Sequence, residues 1–311
     1  MALCTLCGKR EAIFLRPYSG ERLCARCFSK SIERKVRATI SRYEMFEIDD
    51  KIMVGVSGGK DSLTLLHILE KIEREFPESE LGAVTIDEGI RGYRDEAMKL
   101  AVKNCRKLNI EHVTSSFKDI YGYKLDEIVD IARDKGKGLT PCSYCGVLRR
   151  RALNIVAREW GADKLATAHN LDDETQTIIL NILHGDVVKL AKLKPVLTEP
   201  HPKFVQRVKP LCEVPERETT LYAYLKRIEF QTTPCPYART ALRNDIRNML
   251  NRIEEKHPGT KFTIYRSIEK IRPALEATAK KVRIKECKLC GEPTIGDICK
   301  VCEMLQELSI L

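Results

Sequence analysis

Ser57-Gly58-Gly59-Lys60-Asp61-Ser62 has the composition of an anion cradle. It follows an apolar run at 51–56, read as a short buried strand. It precedes a run at 63–69 whose apolar side chains recur at helical spacing. A glycine-rich turn at such a junction lets backbone N–H groups converge on an anion at the positive end of the helix. Lys60 adds a mobile positive charge, and the serines add hydroxyl donors. The glycines sit too close to the lysine for the Gly-x-x-x-x-Gly-Lys-Ser/Thr loop of P-loop NTPases. An ordinary strand–turn–helix corner is the competing reading, and this six-residue string rarely falls at the right junction by chance.

Thirteen cysteines in 311 residues are the second chemical resource. No stretch approaches the roughly 18 apolar residues of a membrane span, and the start of the chain lacks the layout of a secretory signal. A cytoplasmic protein is therefore expected, in which thiols serve metals or sulfur chemistry before disulfides. Cys4, Cys7, Cys24 and Cys27 form two Cys-x-x-Cys knuckles near the start. Cys287, Cys290, Cys299 and Cys302 form two more near the end. Each quartet suits a closed tetrahedral zinc, two Zn²⁺ in all; disulfides or a redox dithiol are the alternatives. A third kind of arrangement remains: Cys142 and Cys145 in Pro141-Cys142-Ser143-Tyr144-Cys145-Gly146, and Cys235 between two prolines. Three thiolates from distant segments suit a metal site that keeps one position open, or, for the Cys142/Cys145 pair, a redox dithiol or persulfide-forming site. The start of the adjacent helix and arginines 149–151 are expected to favour thiolate over thiol. Cys105 and Cys212 read as small apolar fillers.

These groups need a scaffold, and the pattern supplies one. Short apolar strands at 51–56, 81–86, 110–115 and 164–168 alternate with helices at 94–108 and 146–160. That alternation predicts an α/β fold, a doubly wound parallel sheet covered on both faces. Ligands in such sheets sit beyond the carboxyl ends of the strands. The 57–62 turn, Asp87-Glu88-Gly89 and Ala168-His169-Asn170 all fall there and predict one nucleotide site. The expected organisation is an N-terminal zinc ribbon (1–30), a linker helix (31–48, helical over 31–46), a catalytic domain (49–240), a helical extension (241–281) and a C-terminal zinc ribbon (282–311). Residues 185–215, with several prolines, read as a long surface loop, and helices are expected over 217–227, 240–255 and 266–281.

The six-residue turn resembles the pyrophosphate loop of ATP-pyrophosphatases, the PP-loop, which cleave ATP between its α- and β-phosphates. With it, in order, stand the run 85–90, Gly92-Tyr93-Arg94, Pro141-Cys-x-x-Cys-Gly146, Ala168-His-Asn-x-Asp-Asp173, Pro234-Cys235-Pro236 and both ribbons. Together these resemble the tRNA 2-thiouridine synthetases of the TtuA, NcsA and cytosolic-thiolation group, from Cys4 to Cys302. The resemblance implies an oxygen-sensitive 4Fe-4S cluster on Cys142, Cys145 and Cys235, with a fourth iron that takes the sulfur to be transferred. It also implies a sulfur source outside the chain, a ubiquitin-like thiocarboxylate carrier or sulfide, and homodimers are common among relatives.

Replacing a uridine carbonyl oxygen by sulfur requires activation, because oxide is a very poor leaving group. ATP would adenylate the oxygen so that AMP departs instead. Ser57, Gly58, Gly59 and Ser62 are the expected cradle for pyrophosphate, with Lys60 neutralising its charge. Asp61 and Asp172 could hold Mg²⁺, although Asp61 could equally cap the helix. Gly55, Val56 and Ile86 would line the adenosine pocket near Asp87, with His169 either catalytic or ordinary. Lys137 and Lys209 are candidate contacts to phosphate or target base, or solvated lysines. A net charge of +10 points to a polyanionic partner, here tRNA. The 32% charged residues suit a thermophile and lean toward uridine 54 over uridine 34. A small-molecule ATP-pyrophosphatase or amide-forming ligase would leave the ribbons and the cysteine trio idle. A non-enzymatic zinc-ribbon RNA-binding protein would leave the intact PP-loop idle.

Overall fold

The structure, a computed structural model, describes residues 2–136, 139–197, 201–240, 242–278 and 284–311. A hairpin of β1 (Phe14–Arg16) and β2 (Glu21–Leu23) leads directly into α1 (Ala25–Arg42). Cys24 occupies the N-cap of α1, so the helix starts earlier than the expected span and is continuous with the ribbon. Phe28, Ile32 and Val36 on its inner face are fully buried in the same core as Leu23 and the following α/β layer. Arg16 clamps the hairpin to the body through Glu218, at 3.1 and 3.0 Å, with both side chains buried. A planar guanidinium facing a carboxylate in this two-bonded way is a directional ion pair.

The central layer runs β3 (Lys51–Gly55), α2 (Lys60–Glu73), β4 (Glu80–Asp87), α3 (Arg94–Leu108), β5 (Glu111–Ser116), α4 (Phe117–Tyr121), α5 (Leu125–Asp134), α6 (Pro141–Glu159), β6 (Lys164–Ala166), α7 (Leu171–Leu183), α8 (Val187–Ala191), β7 (Val196–Leu197), β8 (Gln206–Val208) and α9 (Glu216–Leu225). The six strands order as β5-β4-β3-β6-β8-β7, all parallel except β7, which runs antiparallel to β8. Ile52, Met53 and Val54 of β3 are fully buried, as a strand covered on both faces requires. One face packs on α2, and the other on α6 and α5.

Residues 185–215 are not a surface loop. They contain α8, β7 and β8, and Val208 of β8 is fully buried beside Ala166 of β6. The chain closes with α10 (Leu242–Lys256), α11 (Thr260–Thr278), the hairpin β9 (Lys285–Glu286) and β10 (Pro293–Thr294), and α12 (Lys300–Glu307). The C-terminal ribbon packs into the α6 side of the core through Val301, Met304 and Leu305. Among the described residues no helix is long and apolar enough to cross a membrane.

A candidate nucleotide site beside three cysteines

The turn 57–62 joins β3 to α2 at the carboxyl rim of the sheet. Gly58 has φ +82°, and a Cβ there would lie 2.4 Å from the Ala97 carbonyl oxygen on α3. Only glycine satisfies both the backbone conformation and this close approach. The loop is braced internally: Ser57 N–H donates to Ser62 Oγ (3.1 Å), and Ser62 Oγ donates to Gly59 O (2.9 Å). Gly59 occupies the N-cap of α2 and no side chain caps it, so the first-turn N–H groups remain available to an anion. Asp61 is not a helix cap. Its carboxylate accepts from Lys60 Nζ (2.6 Å) and from Thr219 Oγ1.

A cavity of about 290 Å³ opens over this turn. Gly55, Val56, Ser57, Gly59, Asp61, Ser62, Ile86 and His169, all expected, line it, as does Glu88 of the expected 87–89 turn, together with Arg94, Arg149, Leu153, Thr167 and Asp173, which were not singled out as nucleotide contacts. The three rim turns therefore meet. Arg94 ties two of them, donating to Ser57 O (3.1 Å) and Ile86 O (2.6 Å) and pairing with buried Glu88 (2.7 Å). Its signal in the sequence was the Gly92-Tyr93-Arg94 string. His169 Nδ1 lies 3.0 Å from Thr167 Oγ1. Its outer edge is open to the cleft, yet the walls desolvate it, and Lys209, Arg207, Arg149 and Arg243 add positive field, so its pKa falls well below the ordinary value. A neutral imidazole under that field marks a cleft suited to anions rather than a general acid.

Several expected residues sit elsewhere. Asp172 faces away from this cavity. Its carboxylate accepts from Lys261 Nζ and from Glu216 N–H (2.8 Å), and it lines a separate cavity with Lys60. Asp173, one position on, lines the nucleotide cavity instead and also closes a capping box with Asn170 at the start of α7. Burial pushes its carboxyl up to about 6, aided by the Asp61 charge and opposed by the Asn170 N–H and Arg243. Lys209 is no free contact: its ammonium is buried between both oxygens of Glu174, each at 2.8 Å. Asp87 accepts from Gly89 N–H (2.8 Å) and serves its own turn. Lys60 pairs with Glu216 (2.8 Å) as well as Asp61; burial opposes its charge, but the two carboxylates raise its pKa. Lys137 lies outside the described residues.

The two terminal quartets fit zinc. In each, the four Sγ atoms lie within 4.8 Å of one another. Burial opposes ionisation of Cys4, but N–H donors from Cys24, Cys7 and Leu6 outweigh it and lower the thiol to about 6. Cys287 reaches about 6 in the same way, through Cys299, Leu289 and Cys290. Cys142, Cys145 and Cys235 do not form so tight a group among the described residues, yet they are near enough to act on one another's charge. Cys142 and Cys145 stand in the first turn of α6, behind the Thr140 cap and Pro141. The Cys142 thiol donates to Tyr237 O (3.5 Å), two residues past Cys235, which brings the distant segments together. Three cysteine thiols brought together from two segments are a donor set that fits an iron–sulfur cluster with one iron left open. The arginines do not produce free thiolate there: burial pushes Cys145 up to about 12 against the pull of Arg149. Arg151 is turned to Cys299 Sγ at 3.3 Å, and Arg150 to Gly146 O at 2.8 Å. Proton loss from the trio would accompany metal binding.

A PP-loop domain model matches residues 28–254. The chain is 38% identical to the tRNA 2-thiolation protein NcsA of Haloferax volcanii, over 98% of each chain. It is 39% identical to the tRNA-5-methyluridine(54) 2-sulfurtransferase of Pyrococcus horikoshii, over 96% of this chain and 92% of that one. Among solved structures, the U34-tRNA thiolase NcsA of Methanococcus maripaludis with its 4Fe-4S cluster superposes with a TM-score of 0.86 at 39% identity, covering 100% of this chain and 98% of that one. The fold and site thus define a PP-loop protein. Within that class, the chain belongs to the NcsA/TtuA-type tRNA 2-thiolation family.

Proposed function

We propose that this chain is a cytoplasmic, ATP-dependent sulfurtransferase that converts a tRNA uridine to 2-thiouridine. One juxtaposition carries the reading: α6 bears Cys142 and Cys145 on its first turn and, farther along, presents Arg149 and Leu153 to the nucleotide cavity. A base activated over the PP-loop would meet its sulfur without leaving the cleft. The uridine C2 oxygen attacks the α-phosphorus of ATP, and the bond to the departing pyrophosphate breaks. The α2 N-terminus, Ser57 and Ser62 hold the phosphates, and Lys60 exchanges its carboxylate partners for the charge developing on pyrophosphate. Asp61 and Asp173 offer oxygens to Mg²⁺.

A 4Fe-4S cluster on Cys142, Cys145 and Cys235 would supply a vacant iron at which sulfide is held as nucleophile. Arg149, which lines the cavity, would offer its charge to the leaving phosphate. As sulfur bonds to C2, the C2–O bond breaks and AMP departs with the oxygen. The sulfur comes from outside, as sulfide or from a carrier thiocarboxylate. The test is pyrophosphate release by anaerobically purified protein with tRNA and sulfide, with the tRNA nucleosides read by mass spectrometry. Release that requires tRNA, with one 2-thiouridine formed per AMP, is the expected result. Release unaffected by tRNA, with unmodified uridines 34 and 54, overturns the reading.

A further inference from the structure

Helix α6 has a second working face. On the side away from the nucleotide cavity, its residues meet β8, the end of β7 and the C-terminal ribbon around a separate cavity of about 310 Å³. That size is at the small end of small-molecule sites. Its walls are largely apolar, with Leu165, Leu197 and Val301 against the ring of Phe204. Its polar lining is strongly one-sided. Arg150, Arg151, Arg207 and Lys300 supply four cations against a single carboxylate, Glu292. That carboxylate is already taken by Arg158, at 2.7 and 3.3 Å, and Lys300 pairs outside the lining with Glu303 at 3.1 Å.

The cavity is also built to keep its shape. Asn154 uses both ends of its amide on the strand entering β8, donating to Lys203 O (2.8 Å) and accepting from Val205 N–H (3.0 Å). Arg158 donates to the same Lys203 carbonyl at 2.9 Å. The segment that carries Phe204 is therefore pinned to α6 on both sides. Arg150 stays turned outward. Its Nε donates to Gly146 O, and no carboxylate pairs with it among the described residues.

An apolar slot with an aromatic wall and a cationic rim, where Arg150 has no carboxylate partner among the described residues, matches a flat aromatic ligand that carries negative charge. We infer that this cavity seats one unstacked nucleotide of the RNA substrate, its base against Phe204 and its phosphate against Arg150. Single-stranded RNA presents such splayed bases, and aromatic and guanidinium surfaces receive them. The seat lies across α6 from the nucleotide cavity, so a nucleotide bound there would anchor the RNA to the helix that carries Cys142 and Cys145. The inference rests on the tRNA reading above and adds where a nucleotide other than the reacting uridine is held.

The experiment measures tRNA affinity over a salt series, with ATP affinity measured in parallel, for wild type, Arg150→Gln and Phe204→Leu. Arg150→Gln should weaken tRNA binding about fivefold and lower the salt slope by about one. Phe204→Leu should weaken it several-fold while leaving the slope unchanged, and ATP binding should stay within twofold in both. Because Arg150 is exposed, its variant stands alone should Phe204→Leu fold poorly. A titration with uridine monophosphate supplies the other arm: wild-type binding lost in both variants, with tRNA affinity unchanged, makes this a free-nucleotide site and overturns the inference. Unchanged affinity for both ligands overturns it too. If wild-type protein fails to bind tRNA, the functional reading fails with it.

Discussion

The terminal ribbons and the cysteine trio start from the same Cys-x-x-Cys spacing and become different kinds of site. In each ribbon two knuckles meet, all four sulfurs lie within 4.8 Å of one another, and the local backbone supplies N–H donors that lower Cys4 and Cys287 to about 6. Such a site is complete and closed. The trio has one knuckle and one remote cysteine, Cys142 is exposed, and burial pushes Cys145 up to about 12. No second knuckle closes this set, and Cys142 stays exposed. A closed quartet holds chain together, whereas an open trio can admit a reactant.

The sharpest way to break the comparison is to remove one sulfur from each kind. Cys235→Ala should abolish thiolation, to below a thousandth of wild type, and leave ATP affinity within twofold, because Cys235 does not line the nucleotide cavity. Anaerobic assay of 2-thiouridine beside equilibrium ATP binding checks both halves. Cys24→Ala should do the opposite damage. Cys24 is buried at the N-cap of α1, in a ribbon whose Leu23 and Phe28 are part of the main core. Removing one ligand from a quartet that could hold a structural metal should cost several kcal/mol and lower Tm by at least about 5 °C. If Cys235→Ala proves the more thermally labile of the two, the division between closed and open sites is wrong.

The PP-loop and the cysteine site also differ in how readily they could be seen in the sequence. The loop was legible because its residues are contiguous and its neighbours periodic: β3 and β4 fall within a residue of the expected strands, and α3 spans the expected 94–108. The approach of Cys142 to the Cys235 segment was suggested by residue type, but proximity across so long a separation in sequence is a tertiary fact. β8 was missed because three residues, Gln206–Val208, are too few to show a period, and its burial comes from β6 alongside it. Asp172 was preferred to Asp173 because spacing does not say which side of a helix N-terminus faces the cleft, and one residue turns a side chain by about 100°. Lys209 looked solvated because its partner, Glu174, lies on a different element.

Gly58→Ala sharpens the loop's side of the comparison. The added Cβ would strike the Ala97 carbonyl, a backbone atom that cannot rotate away, and a left-handed φ of +82° disfavours alanine in any case. The N–H groups at the start of α2 should then lose their convergence. We expect ATP affinity to fall about 10- to 100-fold, with the iron content of the anaerobic protein unchanged. Loss of iron together with ATP binding would mean that the two sites are one cooperative unit.

The smallest expected effect concerns Asp173. Its carboxyl titrates near 6, above its ordinary value of 3.8, because burial and the Asp61 charge disfavour the ionised form. The folded protein therefore binds this proton more tightly than the unfolded chain does. The group's stabilising contribution is greatest below about pH 4 and is lost as the pH rises through 6. About a third of the side chain faces solvent, so screening keeps the effect below about 1 kcal/mol. Asp173→Asn should flatten the fall in Tm between pH 5 and 8 by a degree or two in the absence of nucleotide, while weakening Mg²⁺-dependent ATP binding at pH 8. An Asn variant that shifts the Tm profile but leaves Mg²⁺ dependence intact would reduce Asp173 to its role in the α7 capping box, with Asp61 as the remaining oxygen donor of the pair.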